Sequence, residues 1–382
     1  MILRKMNVGI ITCWYKNISM ANYSYNLIRS LEKHSFIKVK VVSSRCFCEK
    51  ERYCESKNFL QDDCCQLINF PPFVYLHPQR RISWVFYTVI QVLTHFMRGM
   101  IYLSKCKSCD VIHYQLSAHS LGILPLIPMI LIPTPNKKII TSHTIDKTAG
   151  LRFLKAIYNK ADKVLVHSEE MRKDLISIGV HPSKIGIIPH GAKIPVSHSK
   201  RRDKITFFGA PIKQKGVFVL FEALKILKDK GEKIKVYFYG IYSASEKEAA
   251  YQRAKELDVD GCIVWGGRLS ENDFDVKMQE SMFTFAIYTE PVSGSSILTR
   301  AMANATPIIA TNIGGLPEYS QKFAVLIPPN NPEELARAIL MLKNDHDLRM
   351  IMSEIAREEA LKISWDVIAE KTLKVYLDAL KN

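Results

Sequence analysis

Three groups of residues have the types and spacing to do chemistry. The first runs from Glu290 to Glu318. An apolar run, Phe283–Tyr288, opens into Glu290-Pro291-Val292-Ser293-Gly294-Ser295-Ser296. A segment of helical periodicity follows to about Ala305, then an apolar strand, Pro307–Ala310, and the pair Gly314-Gly315. A strand, a small-residue loop and a helix in that order aim backbone N–H groups and a positive dipole end at an anion. The second group is Phe207 to Gly216. Gly209 permits close backbone approach, and Lys213 and Lys215 stand between a strand and a helix, where a diphosphate would be neutralised. The same lysines could instead be solvated in a loop. The position directly before a helix favours phosphate contact. The third group ends a strand: Lys138–His143, with Asp146 three residues on. A lone histidine at a strand end is more often structural than functional.

Metal chemistry finds little support. Asp258-Val-Asp260, Asp273-Phe-Asp275 and Asp345-His-Asp347 fall at helix ends or inside helical patterns, so they read as solvated faces and no metal is expected. Cys106-Lys-Ser-Cys109 has metal or redox spacing, but no second pair stands at a suitable distance. Of the 9 cysteines only Cys262 follows residue 109. The odd total, and a strand beginning almost at Met1 with no secretory signal, predict reduced thiols and a cytoplasmic protein.

These residues need elements to position them. Val8–Cys13, Val39–Ser43, Asp110–Tyr114, Lys138–His143, Lys163–His167 and Ile185–Pro189 read as buried strands, with helices Asn22–Lys33, Leu151–Lys160 and Glu169–Ile178 between them. Ser168 can cap the last helix and Gly179 can close it. The polar stretch Pro195–Lys204 reads as a linker. The alternation then restarts at Lys204–Gly209 and continues through Lys233–Tyr239, Cys262–Gly266, Phe283–Tyr288, Pro307–Ala310 and Phe323–Ile327, before helices Pro332–Lys343, Asp347–Ala360 and Ser364–Leu380. Repeated βα units predict an α/β chain with two doubly wound, Rossmann-like domains: residues 1–197, residues 198–363, and a helix, 364–382, returning to the first. A ligand cleft between the two domains is expected.

The 382 residues are 47% hydrophobic and 24% charged, ordinary for a globular protein with sizeable cores. The net charge of +16 favours anionic partners. Nucleic acid is not among them, because no basic motif is interleaved with aromatics. Leu121–Pro133 is too short and too proline-broken to span a membrane. Ile82–Leu103, behind Arg80-Arg81, reads as a core-facing helix, or as one lying on a membrane face.

The residues also carry a family resemblance. Gly209 through Lys215-Gly216 resembles the diphosphate loop of the family-4 retaining glycosyltransferases, which have the two-domain GT-B architecture. Ala301–Pro307 and Ile308 to Glu318 resemble their nucleotide-site segment. Ala161 to Leu175, Gly179-Val180 and Lys184 to Gly191 resemble their pre-linker segment, and Ser364-Trp365 to Tyr376 their terminal helix. The match covers most of the chain and is weakest from 44 to 105, where these enzymes build acceptor sites.

The resemblance implies a retaining, metal-independent hexosyltransferase acting in glycan biosynthesis. It would move a sugar from a nucleoside-diphosphate sugar to a hydroxyl acceptor, a glycan or lipid-linked precursor, with no other cofactor. Peripheral contact with an anionic membrane would fit the acceptor. In the donor site, Gly209, Lys213, Lys215, Glu290, Arg300 and the N–H groups of Ser295, Ser296 and Ile297 would hold the nucleotide sugar. His143, Lys215 and Glu290 would serve the chemistry. Asn17, Ser19 and Asp146 would lie on the acceptor side. The chain departs from the family pattern at Ala210, where an arginine is usual, and at Val292 and Arg300, where two glutamates are usual, with Glu290 two residues earlier. Arg300 cannot accept protons from ribose hydroxyls and would meet a phosphate instead. These departures leave open a second reading, a non-catalytic subunit that keeps the fold and binds nucleotide or sugar.

Overall fold

Apolar runs such as Ile205–Phe208 have side chains buried on both faces, which is the pattern of a strand inside a parallel sheet covered by helices on two sides. The computed structural model describes residues 5–12, 18–42, 99–117, 132–145, 151–195, 202–292 and 294–381, with isolated positions 93 and 97. Residues 121–131 and most of Ile82–Leu103 lie outside them, although residues 99–106 are helical.

The chain packs as two units, Met1–Pro189 with Trp365–Asn382, and His190–Ser364. In the first unit, strands β1 (Met6–Ile11), β2 (Ile37–Val42), β3 (Val111–Ser117), β4 (Lys137–Thr144), β5 (Lys163–Val166) and β6 (Ile185–Ile187) form a sheet in the order β2-β1-β3-β4-β5-β6. Every pairing is parallel. The order reverses between β1 and β3. Helix Ile18–Leu31, one turn earlier than its periodicity predicts, packs against the last helix, Trp365–Lys381. Ser168 caps helix Glu169–Ser177 by accepting the Met171 N–H at 3.2 Å, and Gly179 closes it at φ +91°.

In the second unit, β7 (Lys204–Phe208), β8 (Val236–Tyr239), β9 (Ile263–Gly267), β10 (Ser281–Ala286), β11 (Ile308–Thr311) and β12 (Ala324–Ile327) form a parallel sheet ordered β12-β11-β10-β7-β8-β9. Read from the first strand of this unit, that is the 3-2-1-4-5-6 order of a dinucleotide-binding fold, reversing between β7 and β10. Phe207, Phe238 and Phe283 are wholly or almost wholly buried in its core. The Phe207 and Phe238 rings stack at 4.9 Å, a pairing that adds about 1 kcal/mol beyond burial. The unit's two ends are joined: Ala192 N–H donates to the Ile363 carbonyl at 2.8 Å, and Ala192 bridges Ser364.

Candidate active site

In an open α/β sheet a ligand sits beyond the carboxyl ends of the strands where their order reverses. In the second unit that point lies between β7 and β10, and the loops leaving those strands are the two picked out by sequence. The loop after β7 turns at Gly209 (φ +131°), forms one 3-10 turn over Lys213–Lys215, and turns again at Gly216 (φ +71°) into helix Val217–Asp229. Both positive angles suit glycine. Gly216 also lies against β10: a Cβ there would stand 1.8 Å from the Ile287 carbonyl oxygen. The two loops are tied directly, Thr289 N–H donating to the Gln214 carbonyl at 3.1 Å.

Lys215 folds back over Gly209, where a Cβ would lie 2.6 Å from Lys215 Nζ. Its surroundings are half-buried, and burial holds its ammonium below the usual lysine pKa of 10.5. Among the described residues no carboxylate offsets that charge. A partly desolvated cation without a counter-ion is unfavourable until an anion arrives. Lys213 is exposed on the same turn.

The loop after β10 ends in helix Ser296–Ala303. Ser295 caps it, its hydroxyl accepting the Leu298 N–H at 3.3 Å while standing 3.0 Å from the Tyr288 hydroxyl. Position in the first turn leaves the Ser296 and Ile297 N–H groups without helical carbonyls. Gly314 (φ +59°) and Gly315 brace the loop from behind. Gly315 N–H donates to the Val292 carbonyl at 2.9 Å, and a Cβ at Gly314 would approach that oxygen to 2.5 Å. Glu290 is exposed at the start of the loop.

Arg300 makes contacts that its place in the sequence does not show. Its guanidinium donates to Asp275 Oδ1 at 2.7 Å and lies 3.6 Å above the Phe274 ring centroid. Asn304 joins the same carboxylate oxygen at 3.3 Å, and Gln279 joins Asn304 at 3.0 Å. These contacts tie the side chain to helix Glu271–Gln279. Of the acidic triplets Asp275 departs from a solvated face, while Asp258, Asp273, Asp345 and Asp347 are exposed as expected. Asp275 pairs with Arg300, Asp258 with Lys228 at 2.8 Å, and Asp345 caps helix His346–Lys362 through the Leu348 N–H at 2.8 Å. Cys106 and Cys109 are free, buried thiols.

In the first unit His143 ends β4 at an irregularity. Leu116 pairs with Ser142 and Ser117 with Thr144, so His143 is the extra residue of a bulge, a device that re-aims a side chain. Tyr23 meets its ring edge-on at 4.7 Å, and Trp365 meets Tyr23 at 5.0 Å. Both ring nitrogens are engaged. Nε2 lies 2.8 Å from Gln115 Oε1, and Nδ1 lies 3.0 Å from His167 Nε2. Neither His167 nor Gln115 is legible as part of a site from sequence spacing. Beneath them His113 bonds Tyr376 at 2.6 Å and Thr141 at 2.7 Å, and burial drives its pKa down to about 3. Asn17 and Asp146 lie outside the described residues, as does the side chain of Ser19.

No helix among the described residues is long and apolar enough to cross a membrane. No group of three or more metal-ligating side chains occurs among them either.

Comparison with known proteins bears on these loops directly. Residues 193–359 match the glycosyl transferases group 1 family, and residues 20–194 match glycosyltransferase family 4. A D-inositol 3-phosphate glycosyltransferase of Corynebacterium jeikeium is 28% identical over 245 residues, 58% of this chain and 58% of that protein. The chain thus spans less than two thirds of the length of that relative. A glycosyltransferase structure from Rickettsia africae superimposes with a TM-score of 0.74 at 19% identity, over 99% of both chains. The Anabaena protein HepE, in complex with UDP and glucose, gives 0.72 at 13% identity over 97% of this chain and 99% of that one. At such identities the structures establish the shared fold, while the two adjoining family matches run from residue 20 to residue 359. The chain therefore belongs to the family-4, group 1 glycosyltransferases, built on two Rossmann-like α/β units.

Proposed function

We propose that the chain is a retaining, metal-independent glycosyltransferase whose donor is a nucleoside-diphosphate sugar. The observation that carries the reading is Lys215: a half-buried ammonium with no carboxylate partner among the described residues, at the point where the strand order of the second unit reverses. A diphosphate is the ligand that such a group suits. In this reading Lys215 and the exposed Lys213 neutralise the leaving phosphate, and the Ser295, Ser296 and Ile297 N–H groups hydrogen-bond it. Preorganised positive charge at a leaving group is commonly the largest catalytic contribution. The UDP bound to the structural relative HepE supports the donor class.

In the reaction the bond from the anomeric carbon to the phosphate oxygen breaks. A bond from the same carbon to the acceptor oxygen forms on the same face, and the acceptor proton passes to the departing phosphate. Lys215 stabilises the charge and need not transfer a proton. His143 contacts the transferred sugar, and Glu290 serves the donor from the loop rim. The acceptor is a hydroxyl compound. The basic, hydrophobic sequence from Pro71 to Leu103 supports a lipid-linked one handled at a membrane surface.

Calorimetry with UDP and GDP tests the donor site. Wild-type protein should bind one of them, and Lys215→Ala should bind at least tenfold more weakly. Since burial lowers the Lys215 pKa and an anion raises it again, binding should take up protons when the pH lies between the two values. A Lys215→Ala protein with wild-type affinity would remove the assignment. Transfer from a panel of nucleotide sugars in EDTA tests the rest.

The departures at Ala210 and Arg300 favour one other reading, a binding subunit without turnover. It predicts nucleotide affinity with no transfer to any acceptor.

A further inference from the structure

His167 directly follows β5 and is 8% exposed. Burying an imidazole there is unfavourable unless both nitrogens find partners. They do. Nδ1 lies 3.0 Å from the Ile188 carbonyl and Nε2 lies 3.0 Å from His143 Nδ1. A carbonyl only accepts, so His167 Nδ1 must carry a proton. A neutral imidazole has one N–H, which leaves His167 Nε2 a bare acceptor. The only group able to donate to it along this contact is His143 Nδ1.

We propose that His167 is the positioning residue for His143: it holds the His143 proton on Nδ1 and fixes the ring plane through the Ile188 carbonyl. The assignment rests on the reading of His143 as a sugar contact, but its geometry stands independently of transfer.

Three features converge on the same ring. The bulge at His143 releases it from the β3 ladder, so the ring direction is not fixed by the backbone register. Tyr23 packs edge-on to it and stands 5.2 Å from the His167 ring, so one aromatic wall backs both histidines. Gln115, 3% exposed, takes the remaining His143 nitrogen. A half-turn of the Gln115 carboxamide presents its NH2 group to the bare His143 Nε2 and its oxygen toward His113 Nε2, where its nitrogen now lies at 3.3 Å. Each of the contacts named here is then donor to acceptor. The imidazole of His143 thus has its tautomer, plane and tilt set from three sides. A ring held this way acts on a sugar without reorganising, which is the condition for efficient orientation.

The test uses the full chain with its 11 histidines labelled with 15N, at a pH about one and a half units above the ordinary histidine value of about 6.5. His143→Gln identifies the His143 signals. Long-range 1H–15N spectra should show His143 and His167 each protonated at Nδ1. A His143 ring without the Nδ1 proton overturns the proposal, whatever the transfer assay shows. Kinetics add a second arm. His167→Gln, whose amide oxygen can accept at the Nε2 position, should keep the His143 tautomer and most of the rate. His167→Ala should release the tautomer and lower kcat about a hundredfold with little change in KM. Equal losses in the two variants, at equal thermal stability, would show a packing role and refute positioning. If wild-type protein transfers no sugar from any donor, the glycosyltransferase assignment of His143 falls, while the spectra still decide the pairing.

Discussion

Arg300 stands where the family pattern has a glutamate, and its contacts predict what removing it will do. Replacing it with alanine deletes a charge-assisted hydrogen bond of 2.7 Å between side chains only 24% and 20% exposed. Such bonds contribute about 1.5–3 kcal/mol. It also deletes a guanidinium 3.6 Å above Phe274, worth about 1 kcal/mol. Among the described residues Asp275 then keeps the longer bond from Asn304. The expected loss is therefore about 2–4 kcal/mol, with nucleotide affinity within a factor of about two of wild type. The assay is urea denaturation of Arg300→Ala, Asp275→Ala and the double variant, with calorimetry against UDP and GDP in parallel. A coupling energy of about 1 kcal/mol or more is expected from the cycle. Arg300→Glu should be worse than Arg300→Ala, because it sets a second carboxylate against Asp275. The reasoning is refuted if coupling is below about 0.3 kcal/mol, or if Arg300→Ala keeps full stability and loses nucleotide binding.

Other outcomes follow from single residues. Gly216→Ala should destabilise by about 3 kcal/mol or more and weaken nucleotide binding, since the φ of +71° and the Ile287 carbonyl 1.8 Å from the new Cβ both oppose it. Gly231→Ala is the control: φ is +80° but nothing lies within 4 Å, so about 1 kcal/mol is expected. His113 has a folded pKa of about 3 against an ordinary 6.5, so its contribution is fully present above pH 6.5 and is lost as the pH falls toward 3. Between pH 6.5 and 5 wild-type protein should lose about 2 kcal/mol more than His113→Gln, measured by urea denaturation at each pH.

The alternation of strands and helices was readable because a strand in a parallel sheet is apolar on both faces and leaves a run in the sequence. The anion-facing loops were readable for a related reason: Gly209, Gly216 and Gly314 are demanded by backbone angles and close approaches, and these force the residue type. Side-chain partnerships were not readable in this way. Arg300 and Asp275 are 25 residues apart on different helices, and His143 and His167 are 24 apart at the ends of adjacent strands. Only the packing of those helices and the register of β4 on β5 bring them together. Asp275 read as a solvated acid because its helical position was visible and its neighbour was not.

The last helix has a consequence for the order in which the protein is made. Trp365–Lys381 belongs to the first unit, yet it leaves the ribosome after all of the second. Until it emerges, Tyr23 lacks the Trp365 ring behind it, His113 lacks the Tyr376 hydroxyl, and Lys33 lacks Asp366, 333 residues downstream. The second unit has no such debt: its ends meet at Ala192 and Ile363, so it can close while the first is still open. Synthesis and completion therefore run in opposite directions. The first unit is translated before the second and finished after it, and its histidine wall is completed only by helix Trp365–Lys381.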